Sequence, residues 1–392
     1  MMNARKQRVC WVVASPLTIH FFLLGHIRNI SKYYELTIVT NLIDGPASLD
    51  FGDSVRVVSL PFERQVSLYR DIVSLFRLFL FFLRERFDVV HTLSPKTGLL
   101  GMVAAWAARV PVRVHTFQGE VWITRKGLWR LLLKSLDKLM ALCATHLLVV
   151  SRSEADFLSE QKIVAITEME MLANGSICGV DLARFKPDSS WRAEVRKELS
   201  IGIDSRVIIF VGRFTVDKGI LDLANAFSRA VVHHTDCYLL FVGPDEEAMR
   251  PVIERICASH RDRLRFVGHT KDPERYMAAS DILCLPSYRE GFGLVLIEAA
   301  AAGLPTIGSR IYGIRDAIID QSTGLLFEPG DVSDLTTKLE TLLNDRGLAD
   351  KLGSSGRMRA VSDFSHVLLE AEMLAFYKRI VKESVLKNFS TL

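Results

Sequence analysis

Short runs rich in Val and Ile recur along the chain and are separated by longer stretches of helical period. In the first half they are Val9 to Ala14, Leu36 to Thr40, Val55 to Leu60, Val89 to Thr92, Arg113 to Thr116 and Leu147 to Ser151. A second series runs through Val207 to Gly212, Tyr238 to Gly243, Leu264 to Gly268, Ile282 to Pro286 and Pro305 to Gly308. Strands that alternate with helices read as βαβ units on a parallel sheet, and two series predict two such sheets. Turn residues without helical period fill Asn174 to Asp188, and a helix is expected from Ser190 to Leu199. The predicted division is residues 1–187, 188–363 and a C-terminal helix from 364 to 392 that packs back on the first domain. Covering helices are expected over Val332 to Asn344 and Phe364 to Val385.

At 392 residues the chain is too long for one ordinary core and suits two. Its 49% hydrophobic and 24% charged residues fit a globular class. Arg5-Lys6-Gln7-Arg8 followed by Val9 to Ala14 looks like the start of a signal peptide, but the apolar run stops at Ser15-Pro16 and reads as a first strand. Ile72 to Leu83 is too short to cross a bilayer, which needs about 20 residues, and Arg77 interrupts it. It reads as a domain helix, with an amphipathic interfacial helix as the alternative. The six cysteines form no C-x-x-C pair, which argues against zinc and a disulfide scaffold and for a reducing, cytoplasmic compartment. Through Pro187 there are 23 Lys and Arg against 16 Asp and Glu, a charge of +7; beyond it 26 stand against 29, a charge of −3. The excess fits either a basic face for anionic head groups or phosphorylated acceptors, or a solvated surface. No basic stripe with interleaved aromatics suggests nucleic acid.

Chemistry is expected just after strands, where ligands of doubly wound sheets bind near helix N-termini, and in a cleft between the two domains. Ser287-Tyr288-Arg289-Glu290-Gly291-Phe292-Gly293-Leu294 follows one predicted strand and opens a helix that carries Glu298. Gly291 and Gly293 let backbone approach a ligand, and the N–H groups near Leu294 can receive a phosphate oxygen. Carboxylates pair poorly with phosphate but accept hydroxyl pairs well, so Glu290 and Glu298 suggest a phosphate flanked by sugars. Gly212-Arg213-Phe214-Thr215-Val216-Asp217-Lys218-Gly219 puts two cations on one loop, able to embrace a diphosphate. Either motif alone would also fit a helix residue or a surface ion pair.

Together they resemble glycosyltransferase family 4, with its two glutamates eight residues apart and an upstream G-R-x(4)-K-G. The resemblance continues through Val242-Gly243-Pro244, Phe266-Val267-Gly268, Ala279-Ser280-Asp281 and Gly303-Leu304-Pro305. It implies the GT-B fold of two facing Rossmann-like domains and a retaining transfer with no protein nucleophile. It further implies that Arg213 and Lys218 bind the donor diphosphate, Glu290 positions the transferred sugar, Glu298 binds the ribose and Phe292 to Leu294 contact the donor. No cofactor is expected, and with no Asp-x-Asp motif no metal is expected either. In the first domain, Thr92 to Gly98 and His115 to Trp122 follow strands and offer Lys96, His115, Gln118 and Glu120 as acceptor or sugar contacts. Gln118 stands where many members have a histidine, and Ala14 to Thr18 lacks the usual paired glycines. The H-T-F-x-G stretch and Ser94 to Gly98 are similar to bacterial capsule and O-antigen members. That likeness implies a UDP-sugar donor, an undecaprenyl-diphosphate-linked or other saccharide acceptor, and peripheral membrane association. A sugar-nucleotide epimerase and a non-catalytic nucleotide-sugar-binding subunit are the alternatives.

Overall fold

The computed structural model describes residues 5–42, 51, 54–62 and 67–390, with side chains through residue 386. The chain forms two compact units. One comprises Met1–Cys178 with Val367–Leu392, the other Gly179–His366.

In the first unit the strands are β1 (Arg8–Val12), β2 (Glu35–Thr40), β3 (Val55–Ser59), β4 (Val89–Leu93), β5 (Val112–Thr116), β6 (His146–Val149) and β7 (Met169–Met171). Among the described residues they form a parallel sheet in the order β3-β2-β1-β4-β5-β6-β7, with Trp11 in register with Ile38 and His91. β1 lies inside the sheet and is covered on both faces, which explains its unbroken apolar run. Its side chains still alternate: Val9, Trp11 and Val13 enter one core, Cys10 and Val12 the other. Helices Leu68–Glu85, Pro95–Ala107 and Gly127–Cys143 cover the Cys10 face through residues such as Leu78, Phe82, Met102 and Met140.

The C-terminal helix His366–Ser390 covers the Trp11 face with Leu369, Met373, Phe376, Tyr377 and Ile380. Trp11 Nε1 donates to the Tyr377 hydroxyl at 2.7 Å, and that hydroxyl lies 2.8 Å from His91 Nδ1. His91 Nε2 is 2.8 Å from Thr116 Oγ1. Burial pulls the His91 imidazole down to about 3, so the ring is neutral, and Tyr377 donating to Nδ1 leaves Nε2–H to donate to Thr116. Tyr377→Phe removes the middle of this chain and orphans two buried partners. Urea unfolding should show a loss of about 1–3 kcal/mol, and an unchanged midpoint would show that the network does not hold the helix.

In the second unit β8 (Arg206–Val211), β9 (Cys237–Val242), β10 (Leu264–Val267), β11 (Ile282–Leu285), β12 (Thr306–Ser309) and β13 (Leu325–Phe327) form a parallel sheet in the order β10-β9-β8-β11-β12-β13. The order reverses between β8 and β11, which is where a doubly wound sheet opens a crevice at its carboxyl edge. The buried Arg196 fastens the opposite edge. It donates to the carbonyls of Ala279, Gly202, Ile203 and Ser205 and to Asp281, which also accepts from Val207 N at 2.8 Å. Ala279-Ser280-Asp281 is therefore a structural clamp on the start of β8.

Candidate active site

Three loops meet at the switch point of the second unit. The loop after β8 makes one helical turn, Val216–Lys218, and ends at Gly219 with φ +64°. A Cβ on Gly219 would lie 1.9 Å from the carbonyl oxygen of Pro286, so only glycine allows this loop to press against the end of β11. Tyr288 N donates to Asp217 O at 2.9 Å across the same seam. The approach carries Lys218 over to Glu290, and the two side chains are ion-paired. Ser287 Oγ donates to the same Glu290 oxygen at 2.8 Å. The Ser287 carbonyl in turn accepts from Ser309 Oγ on β12, and Tyr288 hydroxyl donates to Asp222 at 2.5 Å.

Gly293, at φ +76°, starts the helix Leu294–Ala301, whose first N–H groups have no side-chain cap. This left-handed entry is open to glycine and costly for branched residues. Phe292 is buried and meets Phe364 edge to face at 5.2 Å. One turn into the helix, Glu298 keeps part of its surface open, yet its carboxyl is crowded by protein atoms and makes no hydrogen bond among the described residues. Burial raises it to about 7; Arg184 opposes the shift and Glu274 adds to it. Those two neighbours are paired with each other through a two-point contact at 3.1 and 2.8 Å.

Arg213 stands half-exposed at the end of β8 and donates to Glu246 at 2.8 Å. The loops after β8 and β9 are joined there by Phe214 N donating to Pro244 O at 2.8 Å. Both sequence-predicted cations are thus on the expected edge, and each is held by a carboxylate. Ser287, Glu246 and the Arg184–Glu274 pair were not singled out from sequence. Glu246 did leave a signal, the acidic run Asp245-Glu246-Glu247 straight after Val242-Gly243-Pro244.

The first-unit candidates are placed differently from one another. His115 is buried, lies 2.8 Å from Thr92 Oγ1 and packs edge to face with Phe117. Burial pulls its imidazole down to about 3. Lys96 pairs with Asp71 at 2.6 Å. Glu120 is buried, and Gln118 is half-buried with its Nε2 unpartnered among the described residues. Their loop is tied down by the buried Glu154, which accepts from Gly119 N at 2.6 Å and Val150 N at 2.9 Å.

A glycine-gated helix start beside two cations and two carboxylates stands at the switch point of one of two doubly wound parallel sheets, the architecture of the GT-B class. Residues 192–359 match the family model described as "Glycosyl transferases group 1", and residues 32–175 match "Glycosyl transferase 4-like domain". The chain belongs to the group 1, family 4 glycosyltransferases. It is 30% identical over 354 residues to a capsular polysaccharide biosynthesis glycosyltransferase, CapM, of Staphylococcus aureus, covering 90% of this chain and 92% of that one. It is also 30% identical over 359 residues to a UDP-Gal:alpha-D-GlcNAc-diphosphoundecaprenol alpha-1,3-galactosyltransferase of Escherichia coli, covering 88% and 91%. Among solved structures, sucrose-phosphate synthase of Thermosynechococcus elongatus superposes with a TM-score of 0.78 over 96% of this chain and 100% of that one; at 22% identity the likeness is one of fold.

Proposed function

We propose that this glycosyltransferase moves a sugar from a UDP-sugar onto an undecaprenyl-diphosphate-linked saccharide during assembly of a cell-surface polysaccharide, at the cytoplasmic face of the membrane. The observation that carries the reading is the Lys218–Glu290 pair at the switch point, beside an uncapped helix start. The named substrates of the Escherichia coli relative support the donor and the lipid-linked acceptor. In this reading Lys218 and Arg213 take the diphosphate, the N–H groups after Gly293 add to the same anion, Glu290 holds hydroxyls of the transferred sugar, and Glu298 accepts from the ribose diol. The bond from the sugar's anomeric carbon to the β-phosphate oxygen breaks and its electron pair leaves with the diphosphate. The acceptor hydroxyl bonds to that carbon from the same face, with retention, and its proton passes to the departing phosphate oxygen. The two cations stabilise the charge that grows on the leaving group.

The test is a screen of the purified chain against UDP-, GDP- and dTDP-sugars with EDTA present. Saturable binding of a UDP-sugar and slow release of free UDP are expected, because in this reading protein cations and the helix start neutralise the charge on the diphosphate. Binding of none of the donors would overturn the reading, and a complete loss restored by Mg²⁺ would overturn its metal independence.

A pH dependence follows from Glu298. The diol donates to the charged carboxylate, so UDP-sugar affinity should rise as pH passes through about 7, and Glu298→Gln should flatten the rise. Stability runs the other way. With its folded value above the ordinary 4.5, the native state holds a proton the unfolded chain has released, so this group's contribution is present below 4.5 and lost as pH rises through about 7. Titration calorimetry of both proteins between pH 6 and 8 checks the first statement; identical slopes would remove Glu298 from the ribose site.

A further inference from the structure

The loop that follows β9 begins Gly243-Pro244-Asp245-Glu246-Glu247 and sets three carboxylates in a row beside the loop that carries Arg213 and Lys218. The two loops can close on each other because residue 243 is glycine: its φ is +139°, and a Cβ there would come within 2.0 Å of the Gly212 carbonyl oxygen. Two of the three acids are spent on backbone. Asp245 accepts from Met249 N at 2.7 Å and Arg250 N at 3.0 Å, and Glu247 accepts from Val216 N at 2.8 Å, in the turn that leads to Lys218. Glu246, between them, takes the guanidinium of Arg213.

This contact differs in kind from the neighbouring ion pairs. Arg184 and Glu274 meet at two points, which fixes a guanidinium in plane and direction. Arg213 meets Glu246 through Nη1 alone, at 2.8 Å. The Arg213 and Glu246 side chains are 47% and 32% exposed, against 21% and 15% for Lys218 and Glu290. A one-point pair open to water contributes little, about fivefold at most in an equilibrium constant, and it orients its arginine weakly. It does put a full negative charge on the guanidinium that would meet a diphosphate. Glu290, the carboxylate opposite Lys218, has sugar hydroxyls to hold once donor is bound. Glu246 has no such task, and its charge can only oppose phosphate there.

We infer that Glu246 is a latch on Arg213: it holds the guanidinium while the site is empty, gives it up to the diphosphate, and recaptures it as UDP leaves, so that Glu246 sets how fast the nucleotide departs. The inference rests on the reading of Arg213 as a diphosphate ligand and adds to it a positioning residue that acts through Arg213. The product carries the same two phosphates as the donor, so a site built to hold them needs a means of letting them go. Release of product often limits turnover in enzymes of this kind of closed site. A weak pair that reforms beside the departing anion serves that step without loosening Lys218 or Glu290.

The experiment measures UDP affinity of the full chain by titration calorimetry and dissociation by stopped-flow chase of a fluorescent UDP analogue with excess UDP. Glu246→Gln is expected to bind UDP about fivefold more tightly, nearly all of it in slower dissociation. Glu246→Ala should do the same, because the charge and not the shape is at issue. A gain in affinity is the sign that damage to the loop would not produce, and an exposed one-point pair can be removed with little change in melting. In an Arg213→Ala background the further change Glu246→Gln should alter UDP affinity by less than about twofold. Glu246→Gln that binds UDP no more tightly than the parent would overturn the latch, and weaker binding would make Glu246 an orienting partner of Arg213 instead. Equal tightening with Arg213 absent would also overturn it, since Glu246 would then act on the diphosphate directly. A parent that binds no UDP, or an Arg213→Ala chain that binds it as well as the parent, would instead remove the donor-site reading on which the latch rests.

Discussion

Glu290→Gln is expected to lower turnover of the UDP-sugar by about 100-fold or more, with the fold intact. One oxygen of the carboxylate is held before any substrate arrives, by both Lys218 and Ser287 Oγ, the latter at 2.8 Å. Ser287 is itself buried, and its carbonyl accepts from Ser309, so that oxygen of Glu290 is fixed in direction. The amide in glutamine keeps the shape and one acceptor but loses the charge. It can neither balance Lys218 nor accept from two sugar hydroxyls as strongly. The loss should appear mainly in kcat, because hydroxyl contacts that orient the sugar matter most when the anomeric bond is breaking. Steady-state kinetics with the lipid-linked acceptor, beside a melting curve, is the check. Turnover within about threefold of the parent would remove Glu290 from the reacting sugar's site.

How far the site was readable depends on the distance in sequence between its parts. The strand, glycine loop and helix of Ile282 to Ala301 lie in one stretch, and local pattern was enough to place Glu290 before the helix and Glu298 inside it. The partners were not local. Arg213 meets Glu246 33 residues on, Lys218 meets Glu290 after 72, and Arg184 meets Glu274 after 90. No periodicity encodes such pairs. The strands show the same limit: runs of four to six residues stood out, whereas β7 and β13, at three residues each, gave too little pattern. The helix Arg346–Asp363 was also unread, its buried face built from Ala and Gly as well as Leu352. His115 was ambiguous because strand alternation does not say which face is which. Here its side chain lies under the helix Pro95–Ala107, where a Cβ on Gly98 would come within 2.6 Å of the ring.

Ile72 to Leu83 shows a different limit. As a string it is almost wholly apolar and reads as a buried helix. The neighbouring elements cover one stripe and leave the other exposed. A helix that is apolar all round is usually buried; one with an uncovered apolar side, flanked by Arg77 and Arg84, has a surface still to use.

Lys218→Ala carries the other large expected effect, and its value lies in how it combines with Glu290→Gln. Lys218 ends a single helical turn locked by Gly219 against Pro286, which fixes its backbone beside the crevice, and its Nζ is held there by Glu290. If the ammonium takes the donor diphosphate, its removal should weaken UDP-sugar affinity about tenfold or more and lower turnover by about 100-fold, since the leaving group's charge loses its nearest cation. Arg213→Ala should cost less, because Arg213 is half-exposed and its charge is screened by water and by Glu246. Removing Lys218 also strips Glu290 of its ion-pair partner, so the two substitutions should not be additive. A double variant of Lys218→Ala and Glu290→Gln should be little worse than the poorer single variant, with a coupling of about 1–3 kcal/mol from kcat/KM. Full additivity would mean that the pair seen in the free protein is dissolved when donor binds and that the two residues act on separate parts of it. An unchanged UDP-sugar affinity in Lys218→Ala would remove the lysine from the diphosphate altogether.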